Sequence, residues 1–160
     1  MAFDAGATSD MAASSVEPQS LRAFNWLTLK IFNDLYEAFP EPIDIEGLRF
    51  VISTLFDVGT KSDEANYLKH FTATMRWLKD EGFIRYQSDD SGNFRKVLLT
   101  LRGLTVLGYT PTSLSLTDRK EPIIAKIKRV LAKGAEGAAS DAVKAIIVKA
   151  FGLMVSWSSD

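Results

Sequence analysis

The stretch that decides the fold runs from Tyr67 to Thr100, YLKHFTATMRWLKDEGFIRYQSDDSGNFRKVLLT. Its first half sets Tyr67, Leu68, Phe71, Met75 and Leu78 on one side of a helix, the pattern that a 3.6-residue period produces. Gly82 follows Asp80 and Glu81, where a left-handed residue ends a helix. FIRY, Phe83 to Tyr86, then opens a run of β-forming residues. DDSGN interrupts that run and FRKVLLT resumes it. A Gly/Asn/Asp cluster between two such runs signals a hairpin, so the segment reads as helix, abrupt stop and β-hairpin.

Toward the N-terminus, Leu21, Phe24, Trp26, Leu27, Leu29, Ile31, Phe32, Leu35, Tyr36 and Phe39 put apolar groups around most of a helix. Ser20 is its expected N-cap, and Pro40 and Pro42 stop it. IDI, Ile43 to Ile45, is a short candidate strand. EGLRFVISTLF reads as a second helix packing Leu48, Val51, Ile52, Leu55 and Phe56. DVGTKSDE is a turn in which Gly59 supplies backbone freedom and Ser62 or Asp63 caps the next helix. That helix, from about Asp63 to Glu81, is long enough that its first turn either projects or breaks near Tyr67. Residues 1–19 are Ala, Ser, Asp and Gly with few large apolar groups. Too little surface can be buried there to offset the ordering entropy, so a disordered tail is expected.

The order helix, strand, helix, helix, hairpin, with WLKDEGFI at the junction and LT-x-x-G-L-x-x-L from Leu99 to Leu107, resembles the winged helix-turn-helix. The resemblance covers about Leu21 to Leu107. It implies a mixed α+β domain over residues 20–110, mostly α with a small hairpin. The 63–81 helix would be the recognition helix and residues 83–100 the wing, with Ile43 to Ile45 paired to it. LRGLTVLGY would be a short helix lying back over the first one. Winged helices bind DNA, RNA and other proteins, so the fold alone does not fix a target.

With Leu68, Phe71, Met75 and Leu78 turned inward, the outward positions are Asn66, Lys69, His70, Ala73 and Arg76. Arg and Lys contact guanine edges and Asn pairs with adenine. Lys61, Asn66, Lys69, His70 and Arg76 are therefore the candidates for the major groove. Arg85, Arg95 and Lys96 would hold the phosphate backbone, and Asn93 at the wing tip would donate to a phosphate or base. Asp63, Glu64, Asp80, Glu81, Asp89 and Asp90 lie among them and offset much of that attraction. The same residues also fit an ordinary solvated helix face and a polar turn.

Past Tyr109, residues 111–118 read as a linker of turn residues, and 119–157 as a two-helix C-terminal extension. PIIAKIKRVLAKG places Ile123, Ile124, Ile127, Val130 and Leu131 opposite Lys120, Lys126, Arg129 and Lys133. GAEGAAS breaks the pattern, and Ser140 and Asp141 cap DAVKAIIVKAFGLMVSW, interrupted only by Lys144 and Lys149. A helix apolar almost all round needs cover on most sides. Three places offer it: the body of the chain, the same helix of a second copy, and an anionic membrane surface. Packing within the chain or in a homodimer ranks above the membrane.

Composition narrows the classes. Cysteine is absent, which removes disulfides, thiolate nucleophiles and cysteine metal sites. The lone histidine, His70, leaves the common zinc ligand sets incomplete. Gly134 and Gly137 lack the Lys-Ser/Thr ending of a phosphate loop. Glu37 with Glu41, and Asp89 with Asp90, are carboxylate pairs without a supporting site. No catalysis and no cofactor are expected. The net charge of −1 argues against nonspecific coating of nucleic acid, yet residues 1–58 carry −6 while 59–117 carry +2 and 118–160 carry +3, so charge is segregated. With no long apolar run and no basic leader ahead of an apolar core, a cytoplasmic location is expected. The expected function is a dimeric transcriptional regulator reading duplex DNA. The rival is a non-enzymatic module that binds protein on the same scaffold, or that meets a membrane through 119–157.

Overall fold

The computed structural model describes residues 18–58, 64–108, 121–134 and 141–158. The expected tail, the turn holding Lys61 and Ser62, the linker and the Ser140 cap lie outside them, apart from Pro18 and Gln19 at the end of the tail. The first helix, α1 (Gln19–Ala38), is the axis of the molecule. Ala23, Trp26, Leu27, Leu29, Ile31, Phe32 and Leu35 are all buried on it, because other helices cover it on more than one side. Its start differs from expectation. Pro18 holds the N-cap position, its carbonyl accepting from Leu21 and Arg22 N–H at 3.0 and 3.1 Å, and no side chain caps the helix. Proline at that point already sets the entry angle, and Ser20 falls inside the first turn.

Strand β1 (Ile43–Glu46) leads directly into α2 (Gly47–Val58), followed by α3 (Glu64–Asp80). Phe71, Met75 and Leu78 of α3 are fully buried, as the period required, and the helix runs unbroken through Tyr67. Its end closes twice: Gly82 N–H donates to Lys79 O and Phe83 N–H to Leu78 O at 3.0 and 2.9 Å. Gly82 sits at φ +85, the left-handed conformation this cap demands.

Strands β2 (Ile84–Arg85), β3 (Ser88–Asp90) and β4 (Asn93–Leu99) complete a four-stranded antiparallel sheet in which β1, β2 and β3 all pair with β4. Ile43 lies opposite Val97 and Ile45 opposite Phe94, with a bulge between. Asp44 Oδ1 accepts the Lys96 N–H at 2.9 Å there, which satisfies an amide at a left-handed residue (φ +55). The hairpin turn is shorter than DDSGN suggested. Asp89, Asp90 and Asn93 belong to the strands, and only Ser91 and Gly92 turn, at φ 52 and 91. Two successive left-handed residues match the twist of a tight hairpin.

That turn is also packed rather than projecting. A Cβ on Gly47 would lie 2.3 Å from Gly92 O, and one on Gly92 would lie 3.3 Å from Thr72 Oγ1. The tip therefore nests where α2 begins, against α3.

Helix α2 corrects the expected packing. Phe50, Val51, Thr54 and Leu55 are buried, while Leu48, Ile52 and Phe56 are 49%, 46% and 85% exposed. The sequence holds two apolar stripes on this helix, and α3 covers one of them. After β4, α4 (Leu101–Val106) is capped by Thr100 Oγ1, which accepts from Gly103 N–H at 3.1 Å. It packs against β4 and the last helix.

Helices α5 (Ile123–Ala132) and α6 (Asp141–Ser158) bury Ile123, Ile124, Ile127, Val130, Val143, Ile146, Ile147 and Ala150, pack on each other and both contact α1. Leu107 O, accepting from Ile124 N–H at 2.9 Å, ties them to the end of α4. The body of the chain is thus what covers those apolar faces, although Val148 remains 63% exposed. Among the described residues there are six helices and four strands, a mixed α+β fold. None of these helices is long and apolar enough to cross a membrane.

Candidate nucleic-acid interface

Helix α3 has two exposed flanks because its buried stripe takes only one side. Asn66, Lys69, Ala73 and Arg76 are exposed, as their positions opposite Phe71 and Met75 require. His70 does not join them. It is half-buried and, with Ser20, Leu21, Phe24, Ala73, Thr74 and Trp77, lines an apolar groove of about 460 Å³ between α3 and the start of α1. The reason is angular, since position 70 lies toward α1 and positions 69 and 76 lie toward the hairpin.

On the hairpin flank, Arg76 Nε donates to Asp89 Oδ2 at 2.8 Å, with side chains 57% and 17% exposed respectively. The hydrogen bond first, and then the charge of Asp89, raise the Arg76 pKa. Asp89 Oδ1 is buried without a hydrogen-bond partner. One turn on, Lys79 Nζ lies 5.3 Å from the centre of the Tyr86 ring, and Tyr86 packs edge-on against Phe94 at 4.9 Å. Partial burial, and after it the Asp89 charge, push the Tyr86 hydroxyl pKa upward.

The strand residues divide in the same way. Arg95 Nη1 lies 3.3 Å from Asp44 Oδ2, so its charge is offset within the sheet. Asn93 is not at a free tip. Its Oδ1 accepts the Gly47 N–H at 3.2 Å, where it satisfies an orphan donor of the first turn of α2. Lys69, Arg85 and the Lys96 side chain are exposed and carry no ion pair among the described residues. The structure thus places Lys69 and Arg76 on the exposed edge of α3, while Arg85 and Arg95 alternate with buried Ile84 and Phe94 and lie on the outer face of the sheet; Asn66 is exposed on the first turns of α3. It removes His70 to another flank and gives the Asn93 carbonyl a structural task. Lys61 lies outside the described residues.

Sequence reasoning treated Asp89 as a carboxylate that repels phosphate and overlooked Asp44. Both instead hold arginines. Alternation within IDIE, which turns Asp44 and Glu46 to the side opposite Ile45, was the available signal for Asp44. For Asp89 there was none, since its pairing depends on how the hairpin folds back onto α3.

Two of the cations on α5 are paired. Lys128 pairs with Glu37 and also donates to Asn33 Oδ1 at 3.0 Å, while Arg129 pairs with Glu121. Among the described residues no group of three or more His, Asp or Glu side chains is placed to hold a metal ion. No family model, curated protein or solved structure matches this chain.

Proposed function

We propose that the segment from α1 to α4 is a winged helix-turn-helix and that the protein is a small cytoplasmic transcriptional regulator that binds duplex DNA. The observation that carries this reading is the hairpin flank of α3. Lys69 and Arg76 stand two turns apart on one exposed edge, with Arg76 joined at 2.8 Å to the hairpin that follows. Exposed helical residues of these types match base edges and phosphates, and the strands beside them add Arg85 and Lys96 as phosphate contacts. The roles divide by partner. Lys69, Arg85 and Lys96 carry no ion pair among the described residues and hold the backbone, whereas Arg76 and Asn66 face the bases.

The test is binding of the purified protein to random-sequence duplex DNA across a salt series. Three phosphate contacts predict a log–log slope of about −3. Lys96→Ala lowers affinity for all sequences alike, and Arg76→Ala lowers it in a sequence-dependent way. No binding at low salt overturns the proposal. The mass in solution, measured alongside, tests the homodimer. A dimer through α5 and α6 would have to use what α1 leaves uncovered, such as the neighbourhood of Val148.

A second reading has its own observation. Leu48, Ile52 and Phe56 form an exposed apolar stripe on α2 and border, with Glu46, Arg49 and Ser53, a groove of about 470 Å³. An exposed apolar patch is the usual mark of a protein-binding face. On this reading the protein is an interaction module, and substitution of Ile52 by Asp, not of Lys96, abolishes its association.

A further inference from the structure

The Arg76 guanidinium is held by one edge only. Its Nε donates to Asp89, and among the described residues neither terminal nitrogen takes a partner. A guanidinium is planar, with its five N–H groups in a fixed fork. Pinning Nε to a carboxylate that is only 17% exposed therefore orients the whole plane and leaves the Nη1/Nη2 edge as the free one. Among the described residues Asp89 has no competing hydrogen-bond partner, since its other oxygen is buried without one.

The charge of the pair matters as much as its geometry. Asp89 offsets the arginine's attraction for a phosphate, which is an anion and is repelled by the carboxylate. A guanine edge carries no formal charge and presents two acceptors, O6 and N7, at the spacing of the free fork. The pair therefore favours a base over the backbone, while Lys69 and Arg85, which carry no ion pair among the described residues, do not discriminate.

We infer that Arg76 reads a guanine in the major groove and that Asp89 is the positioning residue that turns it from phosphate to base, an inference that rests on the duplex-DNA reading above. The experiment is selection from a randomised duplex pool with the wild-type protein, Asp89→Ala and Arg76→Lys, each first shown to melt cooperatively. Wild type enriches a G·C pair at one position. Asp89→Ala binds the unselected pool more tightly, because a carboxylate is gone, yet loses about tenfold of the guanine preference. Arg76→Lys keeps the charge and a donor but loses the planar fork, so it holds the unselected pool and retains less of the guanine preference than wild type. In the selected duplex, 7-deazaguanine, which lacks the N7 acceptor, weakens wild type more than it weakens Arg76→Lys, a readout that a loosened hairpin does not give. Undiminished guanine enrichment by Asp89→Ala overturns the inference while DNA binding stands. No wild-type binding to the pool at low salt removes the DNA reading and the inference with it.

Discussion

On the flank of α3 that faces α1 and α6, Trp77 meets Phe24 and Phe151 with ring centroids 5.2 Å apart, and Phe151 lies 5.1 Å from Phe83. On the flank that faces the hairpin, Arg76 meets Asp89 and Lys79 covers Tyr86. Phe83 is buried, Phe24 and Phe151 are half-buried and Trp77 is 39% exposed, so the cluster stabilises through the area it removes from water and through edge-to-face contact. Exposed ion pairs contribute little to stability but fix where a charged fork points. The same helix is thus packed along one edge and exposed along the other.

The largest expected effect breaks the anchored flank. Phe83 is fully buried among Phe32, Trp77 and Phe151, so Phe83→Ala costs about 3–5 kcal/mol, read as a shift of the urea midpoint. A loss below that of a surface substitution would show the rings to be incidental. Next comes the corner where the hairpin turn meets α2. Gly47→Ala drives a methyl into Gly92 O, and overpacking of this kind costs about 1–3 kcal/mol. Because Gly92 is backbone and hemmed in by Thr72 and Leu68, little relief is available.

A third test compares the flanks by titration. Tyr67 shares the α1 side of α3 with His70 and Thr74, and burial pushes its hydroxyl up to about 12 from 10. The folded state therefore holds its proton where the unfolded chain has lost it. This contribution is fully present below pH 10 and is lost as the pH rises from 10 toward 12. Urea midpoints fall across that window in wild type and fall less in Tyr67→Phe; equal slopes would mean the hydroxyl is solvated. The smallest effect on stability is expected at the presented flank. Arg76→Ala leaves Asp89 without its ion pair and lowers the melting midpoint less than Phe83→Ala or Gly47→Ala does, while lowering affinity for DNA; a drop as large as that of Phe83→Ala would make Arg76 a structural residue.

Much of this was legible in order but not in orientation. The inward stripe of α3, the Gly82 stop and the strand at Ile43 follow from local rules that hold whatever surrounds them. Helix α2 shows where such rules end. Val51 and Leu55 can be chosen, but Phe50 against Phe56 cannot, because both lie on apolar stripes and only the placement of α3 decides which is covered. The site failed in the same manner. His70 and Lys69 are neighbours in sequence and part company by one helical step, toward α1 and toward the hairpin. Asn93 and Asp89 look like polar turn residues until β4 is paired, after which one caps α2 and the other holds Arg76. Charge counts likewise missed that Asp44 and Asp89 each neutralise an arginine, which changes what the face offers a polyanion.

Amide chemical-shift mapping of the full chain titrated with duplex DNA at low salt would locate the contact surface residue by residue. Shifts are expected to concentrate in residues 66–79 and 85–96, with the exposed stripe of α2 and the basic face of α5 silent. Shifts centred on Leu48 to Phe56 or on Lys126 to Arg129, or none at all, would contradict the proposed interface.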